Sequence, residues 1–197
     1  MFAITAFFHR YFSHKAFKTS RAVQFFFALI GVMSTQNGPL WWAAHHRYHH
    51  RHADEPNDLH SPRHGFWYSH MGWFLNKQNF STQEHLVKDW LKYPELRWLD
   101  RHSVLVSVLT AASFWIIGSI LAHVAPSLGT NGLQLFVWGF LISTVLLTHI
   151  TLTINSFAHR FGFRTYPTQD DSRNNWFLAI ITLGEGWHNN HHFCPAS

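Results

Sequence analysis

Apolar positions along this chain gather into blocks instead of alternating or recurring at a short period. Two blocks, Ser103 to Ala125 and Leu133 to Ile154, contain no Asp, Glu, Lys or Arg and exceed the ~18 residues expected of a membrane span. At about 1.5 Å per residue each reaches a little over 30 Å, enough to cross a bilayer. Pro126 to Gly132, with Gly129 and Gly132, is a tight connection between them, so the pair predicts a transmembrane hairpin. A third run, Ala22 to Ser34, is too short to span and predicts a buried or interfacial helix. Trp90 to Trp98 mixes Leu91, Tyr93 and Leu96 with Lys92, Glu95 and Arg97 and predicts an amphipathic piece lying at the membrane surface. The length of 197 residues suits one domain.

Charge orients the hairpin. All 15 Lys and Arg residues lie outside it and none is in its far loop, so the positive-inside rule puts the rest of the chain in the cytoplasm. Two crossings return the chain to the side it left, which lets the segments before Ser103 and after Ile154 meet. A net charge of +5 attracts anionic lipid headgroups or a phosphate-bearing substrate. No recognition motif accompanies that charge, and no nucleic-acid partner is expected. The single cysteine, Cys194, offers no disulfide framework and fits a reducing compartment.

Histidine changes the picture most. Of 18 histidines, His9 and His14, then His46, His49 and His50, then His188, His191 and His192 form spaced clusters, with His159 beside Asn155. The i, i+3, i+4 spacing of the second and third clusters puts three imidazoles on one helical face, while Arg47, Tyr48, Asn189 and Asn190 point off it. His9 and His14 are about 140° apart on an ideal helix, so one of them is expected at a helix end or on the following turn. A structural zinc site usually draws on thiolates, which one cysteine cannot supply, and nine clustered nitrogens are too many for one ion. Imidazole suits Zn, Cu, Fe and Ni alike. Two ions sharing eight or nine imidazoles keep positions open for an exogenous ligand, as oxygen chemistry at iron requires. Asp54, Asp58 and Glu185 are candidate acceptors for the imidazole N–H groups. His45, His52, His60, His64, His70, His85, His102, His123 and His149 repeat no ligand spacing and are expected at the surface, around the ligands or in the core.

The stretches His9-Arg-Tyr-Phe-Ser-His14, His46-Arg-Tyr-His49-His50, Asn155-Ser-Phe-Ala-His159 and Gly184-Glu-Gly-Trp-His188-Asn-Asn-His191-His192 closely resemble the histidine boxes of membrane-bound fatty acid desaturases of the stearoyl-CoA (acyl-CoA delta-9) type, nearest to bacterial forms. The resemblance implies an all-α integral membrane protein, in which the hairpin carries a cytoplasmic helical cap bearing the boxes. It also implies a di-iron oxidoreductase that uses oxygen and two electrons to set a cis double bond, at delta-9, into a saturated acyl chain, with two irons per chain and zinc substituting on overexpression. By the same resemblance His9, His14, His46, His49, His50, His159, His188, His191 and His192 ligate iron and Asn155 contacts a metal through water. Gln36, Trp42 and Thr151 match positions that shape the bend of an acyl tunnel, and the polar stripe Thr144, Thr148, Thr151 and Asn155 could line or brace the site. The implied partners are a fatty acyl-CoA or acyl-lipid substrate, membrane lipids and a separate electron donor of the cytochrome b5 or ferredoxin type. The implied location is the inner membrane of a bacterium or the endoplasmic reticulum of a eukaryote.

Two departures from that pattern stand out. Only Met1 to Phe8 precedes His9 and five residues follow His192, so residues 1–197 are expected to be one desaturase domain lacking its N-terminal spans and C-terminal tail, a fragment of a four-span fold. Ala44 and His45 stand where animal relatives have an arginine and an acidic residue that contact the CoA headgroup, which leaves CoA and lipid both open as acyl carrier. A histidine-box hydroxylase or alkane monooxygenase uses similar iron chemistry and is the first alternative. A metal transporter is the second, disfavoured because only His123 and His149 lie in or beside the spans.

Overall fold

The computed structural model describes residues 1–196, which are helical with irregular connections. Among the described residues there is no strand, only the isolated bridges Phe163 to Asn174 and Asn174 to Trp187. Helix α1 (Ala3–Ser13) is π-wound and presents Ile4, Phe8 and Phe12 to the core. Helix α2 (Arg21–Met33) starts at Ser20, whose hydroxyl accepts from Val23 N, and crosses α1 where Gly31 leaves room for the Phe8 ring. One side of α2 is buried through Gln24, Ala28, Gly31 and Val32, while Phe26 and Ile30 face out.

Helix α3 (Pro39–His52) carries the second histidine cluster. Pro39 opens it, where a missing N–H costs nothing, and the Asp100 carboxylate caps it from a distance, accepting from Leu40 N at 3.0 Å and Trp41 N at 2.8 Å. Helix α4 (Tyr68–Gly72, continued by Trp73–Leu75) packs on the second long helix, and α5 (Pro94–Arg101) packs on α2 and α3. The amphipathic stretch expected at the membrane surface is placed differently. Its helix begins only at Pro94, Leu96 and Leu99 are fully buried, and Trp90 is buried with its indole N–H donating to Phe12 O. The apolar side therefore turns into the protein core, a choice that amphipathicity alone does not make.

Helices α6 (Ser103–Val124) and α7 (Gly132–Ser156) are each long and apolar enough to cross a membrane, and only 17% of the most apolar stretch of either is buried. Leu109, Ile116, Trp138 and Leu146 point outward, leaving the apolar faces of both helices uncovered among the described residues. They approach closely at glycines: a Cβ on Gly118 would lie 2.6 Å from Asn131 O, and one on Gly139 would lie 2.6 Å from the Phe114 ring. Short helices α8 (Trp176–Ile181) and α9 (His188–Phe193) follow. Asn175 caps α8 by accepting from Phe177 N and Leu178 N.

The main core lies under α3, where Phe8, Phe12, Leu40, Ala43, Ala44, Val87, Leu96 and Leu99 are buried together. It forms the floor on which the histidine-bearing faces of α1 and α3 rest.

Candidate metal centre

The histidine clusters assemble into two groups of ring nitrogens, and the cluster boundaries in sequence are not the group boundaries in space. His9, His14, His46, His50 and His191 form one group, and His49, His159, His188 and His192 the other. Each HxxHH cluster straddles both: α3 gives His46 and His50 to the first group and His49 to the second, and α9 gives His191 to the first and His188 and His192 to the second. Segments on either side of the α6–α7 hairpin meet here, with His9 Nε2 2.9 Å from His191 Nε2.

The five-residue spacing of His9 and His14 is explained by the winding of α1. With i→i+5 hydrogen bonding, residues five apart come closer to one face, and the two rings lie with centroids 5.1 Å apart. His14 is also the C-cap of this helix, so the expectation of a helix end holds for it, while π-winding narrows the 140° separation to about 50° and brings the rings into contact.

Within the first group Nε2 atoms lie 2.8 to 3.0 Å apart along His9, His191, His50, His46 and His14. In the second, His159 Nε2 is 2.9 Å from His188 Nε2, while His49 Nε2 and His192 Nε2 are buried with no hydrogen-bond partner. Neutral imidazole has one N–H, so His46, His50 and His191 Nε2, each close to two other ring nitrogens, cannot satisfy both neighbours by hydrogen bonding alone. A cation resolves the crowding. Two nitrogens about 2.1 Å from one ion and at right angles are about 3.0 Å apart, so the residues fit metal.

Protonation agrees with that fit. Burial, reinforced by His9, Arg47 and Arg10, pushes His14 down to about 2. Burial and the neighbouring imidazoles likewise hold His46, His50, His188, His191 and His192 well below the usual histidine range, leaving neutral rings with lone pairs to give. His49 is the exception: burial lowers it, but the Asp58 charge and hydrogen bond outweigh burial and raise it.

The carboxylates expected to hold imidazoles do so to different degrees. His49 Nδ1 is 2.9 Å from Asp58 Oδ1, and His159 Nδ1 is 2.7 Å from Asp54 Oδ2. Burial opposes ionisation of both acids, yet their histidine partners and backbone N–H donors hold them well below the carboxylate range. Glu185 is buried but only approaches, at 3.6 Å from His9 Nδ1. Asp170, which accepts from His192 Nδ1 at 2.9 Å, has no sequence signal beyond its acidity, because the irregular chain between α7 and α8 brings it there. Arg47 does leave the ligand face, and its guanidinium joins Phe12 O, Ser13 O, Leu86 O and the Asp89 carboxylate. Asn189 and Asn190 turn away too, tying α9 to Thr165 N, Tyr166 N and Asn174.

Beside the first group a cavity of about 100 Å³ is lined by Gln36, Trp42 and Thr151 together with His46, Trp41, Trp73, Thr148 and Asn155. Gln36 Nε2 donates to Thr151 Oγ1 at 3.0 Å, and that hydroxyl donates to Leu147 O. Gln36 is held between two residues in the left-handed region, Thr35 at φ 61° and Asn37 at φ 62°. Asparagine tolerates that conformation, but for β-branched threonine it is strained. Thr144 is absent from this lining and bonds back to Phe140 O, as a membrane-helix hydroxyl commonly does.

The histidines outside the clusters find other partners. His45 Nδ1 bonds Trp41 O, and the ring sits on the Trp41 indole. His60 lies against His49 and, with Asp58, forms a third candidate grouping. His70 links Ser156 Oγ to His149 Nδ1, and His52 pairs with Glu55.

The family model described as fatty acid desaturase matches residues 1–196. Among relatives, the chain is 38% identical over 192 residues to a probable chloroplastic lipid desaturase of Arabidopsis thaliana, covering 96% of this chain and 50% of the relative. It is 37% identical over 195 residues to an acyl-CoA C20 Delta5-desaturase of Anemone leveillei, covering 98% and 58%. It is 34% identical over 190 residues to an sn-1 stearoyl-lipid 9-desaturase of Anabaena variabilis, covering 96% and 65%. The chain thus spans half to two thirds of the length of these relatives.

Proposed function

Because this chain belongs to the fatty acid desaturase family, we propose that it acts as an oxygen-dependent desaturase setting a cis double bond, at carbon 9, into a saturated acyl chain carried on CoA or in a lipid. The observation that carries this reading is the convergence of nine imidazoles into two groups beside a cavity closed by Gln36 and Thr151. In this reading one iron is held by His9, His14, His46, His50 and His191, the other by His49, His159, His188 and His192, with Asn155 reaching a metal through water. A pair of irons supplies the oxidising chemistry, with two electrons from the substrate C–H bonds and two from a separate cytochrome b5 or ferredoxin-type donor reducing O2 to two waters.

The protein's own part is placement. Trp41, Trp42, Trp73, Phe74 and Leu152 give the cavity an apolar wall that suits an alkyl chain and excludes water. The Gln36 to Thr151 hydrogen bond joins the strained turn after α2 to α7, and with Trp42, stacked on His46, it forms a fixed corner. A chain pressed into that corner presents one C–C bond to the metal side, and such fixation converts a flexible substrate into an oriented one. The α6–α7 hairpin is proposed to span the membrane as part of a single desaturase domain, with the histidines on its cytoplasmic face, in a bacterial inner membrane or the endoplasmic reticulum.

The test is expression of the complete gene in a host lacking desaturase, with gas chromatography of its fatty acids and iron analysis of the purified protein. New cis-monounsaturated chains are expected. An alcohol at the same carbon would move the assignment to a hydroxylase, and no product from protein carrying two irons and supplied with donor would refute the reading.

A further inference from the structure

The two groups of imidazoles differ in what stands behind them. In the second group three rings of four give their Nδ1–H to a carboxylate: His49 to Asp58 at 2.9 Å, His159 to Asp54 at 2.7 Å and His192 to Asp170 at 2.9 Å. Those acids are themselves fixed by donors. Asp54 accepts from Ser61 Oγ and Asp171 N, Asp58 from Asp54 N and His60 N, and Asp170 from Thr168 Oγ1 and Ser172 N. Every contact is a hydrogen bond given to the acid, which favours its anionic form.

In the first group, among the described residues, no carboxylate accepts from any of the five rings. The nearest approach is Glu185 Oε1 at 3.6 Å from His9 Nδ1, and that ring nitrogen has no hydrogen-bond partner. The neighbouring fixed charges, Arg10 and Arg47, are positive and act on His14.

Access differs in the same sense. His49, His159 and His188 of the second group are buried and His192 is partly exposed, whereas in the first group His9 is buried and His14, His46, His50 and His191 are partly exposed. A cavity of about 250 Å³ lined by Thr5, Arg10, Glu185 and Trp187 reaches His9 and His191.

An N–H donated to an anion raises the electron density on the opposite ring nitrogen and fixes its aim, and loss of such a partner typically lowers metal affinity by on the order of 10 to 100-fold. Three anions close to one ion also offset its charge where neutral imidazoles cannot. We propose that the two metal positions are unequal and ordered: the one held by His49, His159, His188 and His192 fills first and empties last, and the one held by His9, His14, His46, His50 and His191 fills second and exchanges through the cavity beside Glu185. This rests on the two-metal reading given above and adds a defined one-metal state to it. The first group's larger number of imidazoles does not reverse the order, because its rings lack anionic partners and the cavity beside Glu185 reaches His9 and His191.

The experiment is titration of the purified metal-free protein with Zn2+ against a competing chelator, measuring bound metal per chain as free Zn2+ rises. Two steps of one ion each are expected, separated by on the order of 100-fold in free metal. Asp170→Asn and Asp54→Asn should each move the tight step up by on the order of 10 to 100-fold and leave the weak step in place. His14→Ala should delete the weak step alone, and it alters no carboxylate, so it decides the matter if either Asp variant fails to fold. Two ions bound in a single step, or a weak step that moves with Asp170→Asn, would overturn the ordering while leaving two metals per chain. Binding of one ion or none to the parent protein would overturn the two-metal reading itself.

Discussion

Replacing Arg47 tests whether the histidines of α1 and α3 are held in register by a residue that touches no metal position. The guanidinium makes five hydrogen bonds of 2.7 to 3.0 Å, to Phe12 O, Ser13 O, Leu86 O and both oxygens of Asp89. It thereby fastens α3, between His46 and His49, to the last turn of α1, immediately before His14. In Arg47→Met, Phe12 O keeps the Trp90 indole and Asp89 keeps Lys15, while Ser13 O and Leu86 O lose this donor. At about 1 to 3 kcal/mol for each of the two acceptors left unmade, the cost is roughly 2 to 6 kcal/mol. That is a large share of the 5 to 15 kcal/mol typical of a folded domain. Arg47→Lys keeps a charge for Asp89 but cannot reproduce a planar fork, so its loss should be smaller and of the same kind. Thermal unfolding in detergent should fall by on the order of 10 °C for the Met variant, and metal analysis should show that the His14-containing group loses its ion before the other. An Arg47→Met protein that melts with the parent and holds two metals would show that the register is set by core packing alone.

His46→Ala should abolish metal binding in its group and with it desaturation, whereas His45→Ala, whose ring is occupied with Trp41 O, should retain both ions; equal metal loss at equal protein level would break that distinction. Metal-free protein should lose stability as pH falls below about 6.5. His14, His46, His50, His188, His191 and His192 have folded values pushed below the ordinary one, so the unfolded chain takes up protons first. His49, raised by Asp58, works the other way through one group only, and a melting temperature unchanged from pH 8 to 5 would contradict the balance. A reporter inserted between Ser127 and Asn131 should be extracytoplasmic and one near Gln83 cytoplasmic; both on one side would remove the membrane hairpin.

The spacing of His46, His49 and His50 on a helix was legible because i, i+3, i+4 is a property of the local backbone. The division of these three between two groups was not, since it depends on where α9 and residue 159 arrive from the far side of the hairpin. His9 and His14 show a different limit: an i→i+5 helix leaves no periodic mark in a segment as apolar as Ala3–Ser13. Asp54 and Asp58 could be suspected from their nearness to the second cluster, whereas Asp170 reaches His192 through a fold of irregular chain with no repeated pattern. Trp90 to Trp98 shows that an apolar face names no medium. Leu96 and Leu99 bury themselves against α2 and α3 as readily as they would in lipid.

The meeting of His9 with His191, 182 positions apart, would make a metal bound there a cross-link between distant parts of the chain. Without it the two arms flanking the hairpin are joined by ties such as Thr5 to Thr182 O, Arg63 to Asp171, Asp171 N to Asp54 and Arg160 to Pro62 O, and by Phe66 packed edge-on against Phe157. Closing so long a loop carries an entropic cost that rises only slowly with length, so an ion that closes it would supply order that the hairpin by itself does not impose. A chain without bound metal would then be freer to open along the seam between the arms.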